Sequence, residues 1–116
     1  MLEVTDEQFD TVVSEALDGV PVELTRLMDN VAVFVEGEPP ADDPDLLGWY
    51  DGTPLTARDW SYGGVLPDRI VIFRGPLVRM CTDRDELVDE VRITVVHEIA
   101  HHFGIDDDRL HDLGYG

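Results

Sequence analysis

The sequence is most informative at residues 97–107, which read HEIAHHFGIDD. This stretch closes a longer run whose apolar side chains recur every four residues: Leu87, Val91, Val95, Ile99 and Phe103. A stripe with that spacing predicts a long helix that leans on a sheet. Thr82 or Asp83 can cap the start of this helix, and Gly104 can end it because glycine readily adopts a positive φ.

Upstream of this helix, the sequence predicts two shorter helices and a small sheet. Thr5 and Gln8 have capping-box spacing and open a first helix, and Gly19 stands where a C′ glycine would end it. Pro21 opens a second, shorter helix. The remaining segments that we expect are a strand at Val31–Val35, an exposed loop over Glu36–Asp45, a short strand at Leu46–Tyr50, an irregular segment over residues 53–66, a strand at Arg69–Phe73 and a helical turn over Pro76–Met80.

The order of these elements sets the expected fold class. Two helices, then strands, then a long helix predict an α+β fold in which helices pack on a small mixed sheet. The chain has 116 residues, which is the length of one domain and enough to bury a core without cross-links. We therefore expect a single domain over residues 1–116.

The charge balance limits the kinds of partner. The 26 Asp and Glu residues outnumber 8 Lys and Arg residues, so the formal net charge is -18. Such a chain repels phosphate backbones and anionic membrane surfaces, so we expect no nucleic acid and no membrane as partners. Cys81 is alone, which excludes an intramolecular disulfide and a cysteine-cluster metal site. The N-terminal residues do not resemble a signal peptide, so a cytoplasmic location is expected, while the oligomeric state stays open.

His97 and His101 have the spacing of two metal ligands on one helix. Four residues correspond to about 40° of rotation and about 6 Å of rise, so both rings leave the same face one turn apart. Two imidazoles in that arrangement can bind one Zn²⁺ ion. Glu98 follows the first histidine directly, a position that suits a general base acting on the metal-bound water.

A catalytic zinc site needs a third protein ligand and an open position for water. Gly104 can end the helix and turn the chain back under the metal. Asp107, three residues further on, is the third ligand that we expect. Asp106, Asp108 and His111 are rival donors.

The run HEIAHHFGIDD resembles the extended zincin motif H-E-x-x-H-x-x-G-x-x-[H/D] in its aspartate-ending form. Together with Gly63–Ile70 (GGVLPDRI) and Phe73–Leu77 (FRGPL), it resembles the small bacterial zincin-like metallopeptidase domain family. The likeness extends from about Leu46 to residue 116. It implies a minimal zincin-like fold, in which a small sheet supports a long active-site helix.

The same resemblance implies a zinc-dependent metallopeptidase that acts on peptide or protein substrates. Carried over to this sequence, it makes His97, His101 and Asp107 the zinc ligands. It makes Glu98 the catalytic base, which accepts a proton from the zinc-activated water and delivers it to the leaving amine. Zincins commonly bind substrate as an added strand at a sheet edge, and Leu46–Tyr50 is the edge that we expect.

Two other functions fit the same sequence. In one, zinc stabilises a catalytically inactive domain that acts by binding a partner protein. In the other, an acidic interaction module competes for basic surfaces through its charge alone. For a peptidase, the group that stabilises the oxyanion stays open among Tyr115, His111 and His102. We expect His102 to be a packed or solvent-facing side chain rather than a ligand, because it points about 100° away from His101.

Overall fold

The computed structural model describes residues 2–52 and 68–115. This part of the chain has a mixed α+β fold with a small mixed sheet, which confirms the predicted fold class. In chain order the elements are α1 (Asp6–Asp18), α2 (Val22–Thr25) with a following 3-10 turn (Arg26–Met28), β1 (Val31–Glu36), β2 (Gly48–Asp51), β3 (Asp68–Phe73), α3 (Arg74–Met80), α4 (Arg84–His102) and α5 (Asp107–Asp112). The irregular segment predicted over residues 53–66 lies outside the described residues.

Strand β3 is the centre of the sheet. It pairs in parallel with β1 and antiparallel with β2, so the strand order of the described sheet is β1-β3-β2. Four consecutive apolar residues of β3, from Ile70 to Phe73, are buried. A continuous buried run is typical of a strand that is covered on both faces.

Helix α4 connects the sheet to the N-terminal helix. It contacts β2 and β3 and also packs against α1. The predicted stripe on α4 is buried at Leu87, Val91, Val95 and Ile99. These side chains join the apolar face of α1 and the inward-facing residues of β3 in one core cluster. Among the described helices, none is both long and apolar enough to cross a membrane.

Local sequence signals account for the ends of both long helices. The capping box of α1 forms as predicted, with the N–H of Gln8 donating to the hydroxyl of Thr5. Asp83 caps α4 by accepting a hydrogen bond from the N–H of Glu86 at 2.8 Å. These bonds satisfy backbone donors that the first turn of a helix leaves without partners.

Gly104 ends α4 with a left-handed turn, as the sequence predicts. Its φ angle is 72°, and the N–H of Ile105 donates to the carbonyl oxygen of Ala100 at 2.8 Å. The N–H of Gly104 itself reaches the carbonyl of His101. This pair of bonds is a Schellman motif, which reverses the chain immediately after the two histidines.

Helix α5 was not predicted from the sequence. It begins after Asp106, which acts as its N-cap and accepts a hydrogen bond from the N–H of Arg109 at 2.8 Å. Leu110 is buried in the core cluster and anchors the helix. A second Schellman motif at Gly114, with φ of 92°, then directs Tyr115 back towards α4.

Gly19 ends α1, as predicted. Its φ of -89° is right-handed, and a Cβ there would lie 3.1 Å from Cδ of Arg92, so close packing favours glycine. Two details of the sequence prediction are wrong. Strand β2 begins at Gly48 rather than Leu46. Phe103, predicted to continue the buried stripe, is the C-cap of α4 and is 41% exposed.

The helical turn predicted over Pro76–Met80 is present, but it is part of a longer helix. Helix α3 begins at Arg74, so Pro76 occupies the first turn. Proline is tolerated there because the N–H that it lacks would have no partner within the helix.

Candidate metal centre

The structure places the two motif histidines next to each other on one face of α4. The ring centroids of His97 and His101 are 6.1 Å apart, and the ring planes are inclined by 69°. His97 is half-buried, whereas His101 is exposed. Two rings that share a zinc ion, with Zn–N bonds of about 2.0–2.1 Å, can adopt such a separation.

Glu98 is a half-buried carboxyl beside this pair. Burial raises the pKa of Glu98 above its usual value, because the charged form loses water. The charge of His101, a hydrogen bond from the Tyr50 backbone and the charge of His97 oppose this effect. A carboxyl with a raised pKa accepts a proton more readily at neutral pH, which is what a general base requires.

The C-terminal segment contacts the first histidine through its backbone. Nε2 of His97 lies 3.2 Å from the carbonyl oxygen of Tyr115. In the tautomer that carries a hydrogen on Nε2, this nitrogen donates to the carbonyl and the lone pair of the ring is on Nδ1. Metal-binding histidines usually have such a partner on the second nitrogen. The sequence indicated the phenol of Tyr115 as a candidate for stabilising the oxyanion. It gave no sign of the contact between the Tyr115 backbone and His97, because a backbone carbonyl leaves no signature in the motif.

The third predicted ligand is not assembled with the pair. Asp107 is the first residue of α5 and is exposed, as are its rivals Asp108 and His111. Asp106 is engaged as the N-cap of α5. Within residues 2–52 and 68–115, no three His, Cys, Asp or Glu side chains come together in a group that could hold a metal ion. The assignment of Asp107 therefore stays a prediction.

A groove of about 250 Å³ runs between β2 and α4 and reaches His97 and Glu98 at one end. Gly48 is needed for the close approach of the two elements. A Cβ at this position would lie 2.9 Å from Cγ2 of Thr94 and 2.9 Å from the carbonyl oxygen of Val71. The glycine in β2 therefore allows the strand to lie against the helix that carries the motif.

Strand β2 is an edge of the described sheet, with β3 on its inner side. The N–H of Phe73 donates to the carbonyl oxygen of Leu47 at 2.9 Å. Because bonding alternates along an antiparallel pair, Gly48 and Tyr50 direct their backbone N–H and C=O groups away from β3. The hydrogen bond between the Tyr50 backbone and Glu98 agrees with this direction.

His102 belongs to a separate aromatic cluster. Its ring stacks on Tyr50, with a centroid separation of 3.8 Å and an interplanar angle of 12°. The hydroxyl of Tyr50 donates to Asp68 at 2.8 Å, and Nε2 of His102 lies 3.9 Å from the same carboxylate oxygen. His102 is thus packed on β2 rather than directed at the other histidines, which is the role that we expected for it.

The donor chemistry fits zinc in part. Two imidazoles on one helical face and a neighbouring half-buried carboxylate are the groups that a catalytic zinc site uses. The backbone partner of His97 supplies the second contact that orients such a ligand. Within the described residues, two of the three predicted donors, His97 and His101, lie side by side, and Asp107 does not join them.

An α+β domain in which a long helix presents H-E-x-x-H beside an edge strand has the architecture of a zincin-type metallopeptidase. The family model of the zincin-like metallopeptidases matches residues 28–116, well over half of the chain. The chain therefore belongs to the zincin-like metallopeptidase family, which confirms the resemblance seen in the sequence.

One solved structure shows the same fold in a relative. It is that of a conserved hypothetical protein from Thermus thermophilus, which is 28% identical to this chain, with a TM-score of 0.56. The match covers 86% of this chain and 94% of that chain. None of the curated proteins matches this sequence.

Proposed function

We propose that this protein is a zinc-dependent peptidase. His97, His101 and Asp107 are its zinc ligands, and Glu98 is its general base. Membership of the zincin-like metallopeptidase family supports the class of reaction. The observation that carries the proposal is the pair of imidazoles 6.1 Å apart, with Glu98 beside them, at the end of the groove between β2 and α4.

Each group in the site has a definite task in peptide hydrolysis. Zinc, when bound, polarises the peptide carbonyl and lowers the pKa of a coordinated water to about 7. Glu98 accepts the proton of the attacking water and passes it to the leaving amine. The hydrogen bond from the Tyr50 backbone holds the Glu98 carboxylate at the mouth of the groove, and its raised pKa brings it closer to the pH at which it works.

The substrate chain binds along β2. Gly48 directs its backbone N–H and C=O groups away from β3, so an extended peptide can pair with β2 there and add to the sheet as a further strand. Such a strand passes His97 and Glu98, because both line the groove beside β2. The recognition of backbone rather than side-chain groups suits peptide and protein substrates.

The same proposal places the protein in the cytoplasm, without a nucleic acid or membrane partner. The net charge of -18 supports the absence of nucleic acid and membrane partners, because the negative charge of the protein repels phosphate groups. Cys81 is a free, buried cysteine, as is common in reducing compartments.

The test is the variant Glu98→Gln, assayed with a peptide library and by zinc analysis. We expect hydrolysis to fall by about 10²–10⁴-fold, because the proton acceptor is lost, while zinc content is unchanged. The control Glu3→Gln removes the same charge at an exposed position outside the groove and should cleave at the parental rate. Parental activity in Glu98→Gln would overturn the role of this residue. A zinc-loaded parent that cleaves no peptide would instead support the inactive, partner-binding alternative.

A further inference from the structure

Glu90 lies on the face of α4 that carries the motif histidines. At about 100° per residue, Glu90, Thr94, His97 and His101 fall within about 60° of one another around the helix. Glu90 precedes His97 by seven residues, which is about 10 Å along the helix axis. It therefore lines the groove about two helical turns away from the proposed reaction centre.

The wall between these two points is apolar. Leu46 and Leu47 line it just before β2, and Ile93 lines it from α4. Thr94 contributes no free hydroxyl hydrogen, because its Oγ1 donates to the backbone carbonyl of Glu90 at 2.8 Å. A long side chain with an aliphatic stem and a polar end matches such a groove, since its stem covers apolar surface while its end reaches the carboxylate.

Glu90 has no ion pair within the described residues. Six described arginines are already paired with other acids, as follows: Arg69–Asp51, Arg74–Asp6, Arg79–Glu38, Arg84–Glu15, Arg92–Asp89 and Arg109–Glu23. Glu90 is half-buried and lines the groove. A cation supplied by a ligand would pair with it.

A second cavity, of about 430 Å³, lies on the other side of His97 and is lined by Arg92, Leu113 and Tyr115. Its cationic group has a partner already, because Arg92 donates to Asp89 at 2.9 Å. Glu90, which lines the groove beside β2, has no ion-pair partner in the described chain. The distribution of charge therefore favours Glu90 as the residue that selects a ligand.

We propose that the groove between β2 and α4 accepts an arginine or lysine side chain of the substrate, next to the scissile bond, and that Glu90 pairs with its cationic end. This inference rests on the proposed peptidase function and adds the substrate class to it. Glu90 is a specificity residue, since it lies two turns from the reacting atoms and contacts only the side chain of the substrate.

The test uses fluorogenic octapeptides built from alanine and leucine. In each of four peptide series, a single arginine, lysine, methionine or glutamate is placed at every position in turn. At the position that occupies the groove, we expect kcat/KM for the arginine and lysine peptides to exceed that for the methionine peptide by about tenfold. Glu90→Gln should abolish this preference with little change for methionine. Glu90→Arg should reverse it in favour of glutamate. Glu3→Gln should keep the parental preference.

Binding separates this inference from the peptidase proposal. The zinc-loaded variant Glu98→Gln and the double variant Glu98→Gln/Glu90→Gln are titrated with the arginine and methionine peptides. A binding advantage for arginine that disappears in the double variant supports the assignment of Glu90, even if the parent cleaves nothing. Two results would overturn the assignment of Glu90 and leave the peptidase proposal intact. One is equal binding of the arginine and methionine peptides by Glu98→Gln. The other is cleavage of all peptides by the parent without a preference for basic residues.

Discussion

Burial changes the chemistry of single side chains at both ends of α4. Glu98 sits half-buried near its C-terminus, and Cys81 is buried just before its N-terminus. In each case the loss of water disfavours the charged form and raises the pKa of the group. The consequence differs, because the carboxyl becomes a better base whereas the thiol becomes a weaker nucleophile.

Cys81 should therefore be unreactive in the folded protein. Burial, with the nearby charges of Glu86 and Glu90, raises the pKa of this thiol to about 11. Because the thiolate is the reacting form, we expect alkylation by iodoacetamide near pH 8 to be much slower in the native than in the urea-unfolded chain. Mass spectrometry of the alkylated protein measures both rates. Equal rates would contradict the burial of this residue.

The same raised pKa predicts how stability depends on pH. In the unfolded chain the Cys81 thiol ionises near its ordinary pKa of about 8.5, and in the folded chain only near 11. The group therefore contributes its full stability below about pH 8.5 and loses it as the pH rises towards 11. We expect Cys81→Ala to show a smaller fall in Tm than the parent between about pH 8.5 and pH 10.5.

At the scale of elements, local signals and distant contacts were not equally predictable. Helix α4 was predictable because its stripe, the cap at Asp83 and the stop at Gly104 are all encoded within the helix and its flanks. The contact of β2 with α4 was not, since it depends on Gly48 meeting Thr94, far along the chain. Helix α5 was missed because the Asp106–Asp108 tract was interpreted as a set of metal donors. Aspartate is equally typical of an N-cap, which is the role that Asp106 has.

The turn at Gly104 provides a test of this element-level description. A Cβ there would meet no atom within 4 Å, so the cost of Gly104→Ala comes from its φ of 72° alone. We expect the free energy of unfolding to fall by about 1–2 kcal/mol in urea denaturation. Gly37→Ala is the matched control, because its Cβ is equally free and its φ is not left-handed. An equal effect of both substitutions would contradict the Schellman turn.

At the scale of the whole molecule, the net charge of -18 dominates. The described ion pairs are at least partly exposed and contribute little individually, so repulsion among the excess acids outweighs them at low ionic strength. We expect Tm to rise as sodium chloride increases from about 0.05 to 0.5 M, since salt screens this repulsion. The double variant Asp42→Asn/Asp43→Asn, in an exposed loop, should show a smaller rise. A Tm that falls with salt would show that the ion pairs prevail.

Zinc content per chain is the most direct measurement of the proposed metal centre. The parent, His97→Ala, His101→Ala, Asp107→Ala and Glu98→Gln are each stripped of metal, reloaded with zinc, dialysed and analysed by elemental mass spectrometry. Glu3→Gln, at an exposed position outside the groove, is the control. We expect about one zinc per chain in the parent, the control and Glu98→Gln, and a large loss in the three ligand variants. If His97→Ala retains as much zinc as the parent, the metal is not held by the histidines of α4.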